Sequence, residues 1–275
     1  MRYNSRRDAV IIGAGIVGCA TAYYLAKEGA KVTLIERDSV ASHASGFALG
    51  ELSPLRGAGI PDPMGPLSLD AFSLHLELVN TLAEETGIDT DFQFRTSITV
   101  AYSEQEALAM KSTLQWQQAQ DGFIVEWMDE QGILSIEPRL TSGMIGGIVT
   151  EHLGLLNPYK LTSSLLQASQ RMGATIRHGL VHGIEFDGEH VRAVRVGNQE
   201  IHCDAVVIAM GPWSGIASSW IGVTLPVEPL KGEILQLDPG NTAPICVFWN
   251  NGHAVTKPDG LLWLGATEES TGFSE

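Results

Sequence analysis

The sequence predicts an α/β fold, α+β in part, on three observations. An apolar run, Ala9 to Gly13, passes through closely spaced glycines into a helical pattern and then into a second apolar run, Lys31 to Ile35. Segments of helical period alternate with short apolar runs bounded by turns through the first part of the chain. From Thr175 onward short strand-type segments dominate.

Each element follows from local pattern. Ala9 to Gly13 is a buried strand. Gly15 to Glu28 is a helix whose packing face is small and apolar (Cys19, Ala22, Leu25, Ala26), and Gly29 ends it. With the strand Lys31 to Ile35 this makes a βαβ start. Ser39 to Pro66 has no periodicity and is rich in Gly, Ala, Ser and Pro; a loop of that length inside a domain is usually functional. Leu67 to Thr86 and Glu104 to Asp121 read as amphipathic helices, with short strands Phe92 to Phe94 and Ile98 to Ala101 between them. Asp129 to Ile136 reads as a helix before the Gly-rich stretch Gly143 to Thr150. Pro158 to Met172 reads as a helix with proline in its first turn. Strands follow at Thr175 to Arg177, Val181 to Phe186, Val191 to Val196 and Ala205 to Ala209, and the tail alternates strands and turns through Gly265.

Composition excludes several classes. Of 275 residues, 44% are hydrophobic and 18% charged, which suits a globular chain with a substantial core. The net charge is −15, and the only basic cluster is Arg2, Arg6 and Arg7. Phosphate backbones need clustered cations, so neither nucleic acid nor an anionic membrane surface is expected as a partner. Arg6-Arg7 before Ala9 to Ala26 resembles a signal peptide superficially, but the spaced glycines within that run argue for a nucleotide turn. No membrane span is expected. Three cysteines without a C-x-x-C pair suit a reducing, cytoplasmic setting. The histidines His75, His152, His178, His182, His190 and His202 have no metal-ligand spacing, and no metal is expected.

The strongest local signal is Gly13-Ala14-Gly15-Ile16-Val17-Gly18 between the first strand and helix. The first glycine permits the tight turn, the second admits a pyrophosphate, and the third lets helix and strand pack closely. The helix N-terminus offers N–H groups to the phosphates. Glu36, at the end of the second strand, stands where a carboxylate binds ribose hydroxyls, and its charge disfavours a 2′-phosphate. NAD and FAD share this fingerprint. The segment after Glu36 separates them, because the chain enters the small-residue loop Ala41 to Gly50 rather than another βα unit. Small side chains let backbone lie against a large flat ligand, so FAD is the expected cofactor.

With those residues in view, the sequence resembles the glycine and D-amino-acid oxidase (DAO) family of flavoproteins over nearly its whole length. The resemblance rests on Val10 to Gly18 through Leu34-Ile35-Glu36-Arg37, on His43-Ala44-Ser45-Gly46 leading to Leu52-Ser53-Pro54, on Gly154 to Pro158, on Ala205 to Ser214, and on Pro258 to Phe273. The last segment is most similar to glycine oxidases of thiamine biosynthesis. The resemblance implies a glutathione-reductase-type, Rossmann-like FAD domain (1–66 plus 155–222) and a mixed-sheet substrate domain (67–154 plus 223–275). It implies that FAD is held by Gly13, Gly15, Ile16, Val17, Gly18, Glu36, Arg37, Ser42, His43, Ala44, Ser45, Gly46, Val181, Ala209, Gly211 and Trp213.

The implied reaction moves hydride from the Cα–H of a small amine or amino acid to flavin N5; the imine then hydrolyses, and dioxygen or another acceptor takes the electrons. The flavin carries this chemistry, so no catalytic acid or base is named. His253 and Glu268 fall near positions that face substrate in relatives, and Trp263 stands where sarcosine oxidases carry a lysine. His43 sits in a context like that of histidines bonded covalently to flavin, although a non-covalent loop residue is the expected reading. Complete relatives continue well past Phe273 with a segment that carries the arginines for the substrate carboxylate. Lys231 and Lys257 match no such position, so residues 1–275 alone are expected to bind FAD weakly and not to turn over. A dehydrogenase that passes electrons to a quinone or partner, and a non-catalytic flavin-binding fragment, are the alternatives. A homo-oligomer is compatible with the sequence.

Overall fold

A computed structural model describes residues 8–250 and 252–273. Arg2, Arg6 and Arg7 and the pair Ser274-Glu275 lie outside the described residues. Strand β1 (Asp8–Ile12) is buried along nearly its whole length, as a strand covered on both faces of a parallel sheet must be. Helix α1 (Ile16–Lys27) turns Gly18, Cys19, Ala22, Tyr23 and Ala26 to the core, and the chain reverses at Gly29 into β2 (Lys31–Glu36). The long loop is not structureless. It contains one helical turn, α2 (Ala44–Phe47), and a short strand, β3 (Glu51–Leu52).

Helix α3 (Gly65–Thr86) begins two residues before its predicted start, because proline fits the first turn, and it ends at Gly87 in the left-handed conformation (φ 77°). The two short strands predicted next are one strand, β4 (Gln93–Ala101), with an irregularity between Arg95 and Ser97 that breaks its alternation. Helix α4 (Glu104–Gln118) opens with a capping box between Ser103 and Glu106. Strand β5 (Ile124–Met128) was not predicted. Helix α5 (Glu130–Ile136) is capped by Asp129, whose carboxylate accepts from Gly132 N–H at 2.9 Å.

The Gly-rich stretch proves to be a central strand, β6 (Gly146–Leu155), paired with β3, β4 and β5. Its glycines are required by close packing. A Cβ on Gly147 would overlap the Thr99 carbonyl oxygen, and one on Gly146 would lie 2.7 Å from the Trp127 ring. Helix α6 (Pro158–Arg171) is capped by Asn157.

Strands β7 (Thr175–His178), β8 (Val181–Asp187), β9 (His190–Val196), β10 (Gln199–His202) and β11 (Ala205–Ile208) follow. A 3-10 segment, Gly211–Ala217, runs into the short helix α7 (Ser218–Ile221). Strands β12 (Ile234–Leu237), β13 (Cys246–Trp249), β14 (Gly252–Thr256) and β15 (Leu262–Gly265) complete the described chain.

The described residues form three sheets. A parallel sheet has the order β11-β1-β2-β7. Helices α1 and α6 cover one face through Ile11, Leu34, Cys19, Ala22 and Leu165. The antiparallel sheet β10-β9-β8 covers the other, where Val10, Ile12 and Ile35 meet Val181, Ile184 and Val194. The third sheet is mixed, in the order β12-β15-β14-β13-β4-β6-β3, with β5 also on β6. Among the described residues no helix is long and apolar enough to cross a membrane.

Candidate FAD and substrate site

In the parallel sheet β1 has β2 on one side and β11 on the other, so the chain order reverses at β1. Such a reversal leaves a crevice outside the carboxyl ends of the strands, which is where open α/β sheets take ligands. A cavity of about 730 Å³ occupies that position, within the size range of small-molecule and cofactor pockets. The glycines that shape it serve distinct needs. Gly13 has φ 103°, and a Cβ there would overlap the Ala209 carbonyl oxygen. A Cβ on Gly18 would overlap the Gly13 carbonyl oxygen, so α1 could not seat on β1. Gly15 has ordinary backbone angles, and its Cβ would lie 3.1 Å from Ser45 Oγ.

Side chains pin the loops around this cavity. Glu36 Oε2 accepts from Ala14 N–H at 2.7 Å, and Oε1 accepts from Asp38 N–H at 2.9 Å. Ser45 Oγ accepts from Ile16 N–H at 3.0 Å, which ties the small-residue loop to the start of α1. The first turn of α1 contains no acidic residue, leaving its positive end uncompensated toward the cavity. At the other end Trp213 has the Arg37 guanidinium 4.0 Å from its ring centre and the Phe273 ring stacked on it at 5.3 Å. The His43 ring meets Trp213 edge-on at 4.8 Å, and His43 Nε2 lies 2.8 Å from Asp38 Oδ2. Hydrogen bonds from His43 and Arg37 hold the Asp38 carboxyl below the usual carboxylate range.

Of the residues named from sequence, Gly13, Gly15, Ile16, Val17, Glu36, Arg37, Ser42, His43, Ala44, Ser45, Val181, Ala209, Gly211 and Trp213 line the cavity. Gly18 and Gly46 stand behind the wall; a Cβ on Gly46 would overlap the Ala41 carbonyl oxygen. Leu180, Met210, Ile216 and Trp220 also line it and were not named. Val17, Leu180 and Ile216 are more than half exposed and give the cavity apolar walls of the kind that suit a flat ring. The residues present therefore fit FAD: a glycine cradle at a helix N-terminus, a carboxylate at the end of β2, and a long apolar trough.

His253 and Glu268 do not line this cavity. His253 lies on β14 beside Phe248, with ring centres 6.0 Å apart, and its buried Nε2 has no partner among the described residues. Burial, and then the nearby Arg56 charge, lower its pKa, which favours the neutral imidazole. Glu268 is exposed beside the bridge that joins Lys231 to Glu269. Trp263 is buried, with the Lys257 ammonium 5.3 Å from its ring centre. Lys257 Nζ donates to the carbonyl oxygens of Leu49 and Leu156, and burial brings its pKa down to about 8. Lys257 thus clamps the small-residue loop to the mixed sheet.

Sequence reasoning missed Arg56. Its Nη2 donates to both Glu51 oxygens at 2.6 Å, its Nε donates to Ser53 Oγ at 3.0 Å, and its guanidinium lies 3.6 Å from the Phe248 ring centre. It also borders a second cavity of about 220 Å³ between α4 and the mixed sheet. The available signal was that Arg56 is the only Lys or Arg in the loop from Ser39 to Pro66. The cysteines are unpaired, and burial raises Cys19 and Cys246 to about 12 and Cys203 to about 11, which keeps them as thiols. Among the described residues no group of His, Cys, Asp and Glu could hold a metal ion.

Known proteins bear on this geometry. The family model described as FAD dependent oxidoreductase (DAO) matches residues 8–275. The glycine oxidase of Geobacillus kaustophilus is 31% identical over 269 residues, which cover 95% of this chain and 70% of that protein. Its solved structure superposes with a TM-score of 0.89 at 29% identity, covering 98% of this chain and 73% of that one. The D-amino acid dehydrogenase of Rhizobium rhizogenes is 25% identical, covering 96% of this chain and 76% of that protein. With a family model spanning nearly every residue, and a glycine-and-carboxylate cradle at the sheet's reversal point, the chain belongs to the DAO family of FAD dependent oxidoreductases, whose relatives here act on amino acids.

Proposed function

We propose that the protein oxidises the Cα–N bond of a small amino acid: glycine, a D-amino acid or an N-alkyl glycine. The observation that carries this is the trough along the carboxyl ends of β1, β2 and β11, walled by small residues from Ala41 to Ser45. That loop continues through Leu49 and β3 onto the mixed sheet beside Phe248 and His253. When bound, FAD supplies the hydride acceptor. The chain's own residues bind, orient and exclude water. With FAD bound, Glu36 would hold the ribose hydroxyls, the first turn of α1 would face the pyrophosphate, Val181 would lie against the adenine, and residues 42–46 with Ala209 to Trp213 would border the flavin. His253 presents a neutral imidazole on the substrate side. Glu268 is exposed and does not line the trough. The amine needs to be neutral when hydride leaves, and solvent can take its proton, so no dedicated base is required.

The same reading divides the chain into an FAD domain, 1–66 plus 155–222, and a substrate domain, 67–154 plus 223–275. Strand β3 crosses that division to join the mixed sheet. The test is to load the full-length protein with FAD and assay oxygen consumption, peroxide and ammonia or alkylamine release with a panel of these substrates. Peroxide marks an oxidase; dye reduction without peroxide marks a dehydrogenase. Neither signal with any panel member would remove the proposal.

A further inference from the structure

The chain carries a net charge of −15, yet the mixed sheet holds a concentration of positive charge. Arg56, Arg95 and Lys257 all act on the Cys246 thiol, opposed there by one carboxylate, Glu51. Arg95 Nε is buried without a partner among the described residues. Lys257 spends its ammonium on two backbone carbonyls. Arg56 differs from both. Glu51 takes up Nη2, Ser53 takes up Nε, and Phe248 supports the flat face, which fixes the guanidinium and leaves Nη1 outside these contacts. On the same Phe248 ring, His253 turns a buried Nε2 that lacks a partner among the described residues. The fixed Arg56 guanidinium and the unpartnered His253 Nε2 therefore meet at one aromatic ring. Arginine held in a fixed orientation is the side chain best matched to a carboxylate.

We propose that Arg56, oriented by Glu51 and Phe248 and assisted by His253, is the anchor for the carboxylate of the substrate. This rests on the amino-acid oxidation proposed above and makes it specific: the substrate is a compact α-amino acid with a free carboxylate, not an amine lacking one. The family resemblance puts the carboxylate arginines in a segment past Phe273, so Arg56 is an additional assignment.

The test uses glycolate, which has the carboxylate but no oxidisable amine, titrated into FAD-loaded full-length protein while the visible flavin spectrum is followed. Arg56→Lys keeps the charge and loses the fork. Because Arg56→Met alone would leave Glu51 buried and unpaired, the double variant Glu51→Gln/Arg56→Met removes charge without that penalty. FAD affinity and thermal unfolding serve as controls for folding. The double variant is expected to weaken glycolate binding, and to raise KM for amino acids, on the order of 100-fold; Arg56→Lys falls between it and wild type, and His253→Phe has a smaller effect. Wild-type-like glycolate binding and KM in both Arg56 variants, with FAD retained, would overturn the proposal and leave amino-acid oxidation standing. A wild-type protein that holds FAD, yet neither responds to glycolate nor oxidises any amino acid, would remove both.

Discussion

Replacing Glu36 by alanine tests the nucleotide reading at the residue where structural and binding roles meet. The Glu36 carboxylate accepts from Ala14 N–H and from Asp38 N–H. Asp38 is exposed, so its N–H passes to water at little cost. Ala14 is fully buried, and a buried donor stripped of its partner costs about 1–3 kcal/mol. Apoprotein stability should therefore fall by about 2 kcal/mol. The lost bonds to the ribose act separately. A hydrogen bond to a charged group contributes about 1.5–3 kcal/mol, so losing one or two raises the FAD dissociation constant by roughly 10- to 100-fold or more. Denaturant unfolding of the apoprotein reads the first effect, and flavin fluorescence titration reads the second. Glu36→Gln keeps an acceptor but loses the charge, and should fall between. If Glu36→Ala unfolds like wild type and binds FAD within threefold of it, Glu36 has neither role and the cradle has been misread.

The geometry carries three more expected outcomes. Alanine at Gly13 or Gly18 must displace backbone, at Ala209 and at Gly13 itself, so either variant should lose FAD binding and at least about 2 kcal/mol of stability; Gly15→Ala, with ordinary angles and only Ser45 Oγ to displace, should do much less. Lys257 has a folded pKa of about 8 against an ordinary 10.5, so between those values the unfolded chain binds the extra proton. Stability relative to Lys257→Met should therefore rise with pH across that window, and a falling difference in pH-dependent denaturant unfolding would contradict the buried-ammonium assignment. Acid precipitation of FAD-loaded protein should leave the yellow colour in the supernatant, because His43 is engaged with Asp38 and Trp213; colour retained in the pellet would mean a covalent bond to flavin.

The βαβ start was legible because each of its demands is local. A tight turn, a close helix and a terminal carboxylate each require one residue type at one spacing, and Gly13, Gly18 and Glu36 meet them. Strand β6 was illegible for the opposite reason. Its glycines answer to Thr99 and Trp127, which lie distant in sequence, so locally it resembled a loop. Strand β4 was split by an irregularity that only its partner reveals. The substrate side was the least legible part. His253 stood out by its position in a similar segment, whereas Arg56 acquires its meaning from Glu51 and Phe248, and the second of these lies on a strand that no local pattern connects to the loop.

The most direct test of the central claim is a single-turnover experiment. FAD-loaded full-length protein is mixed without oxygen with excess glycine, N-methylglycine or D-alanine, and the visible flavin band is followed. At least one of these acids should bleach the flavin, with one ammonia or alkylamine released per flavin reduced, and admitting air or an electron-accepting dye should restore the colour. A bound flavin that dithionite bleaches and none of the amino acids reduces would contradict amino-acid oxidation by this protein.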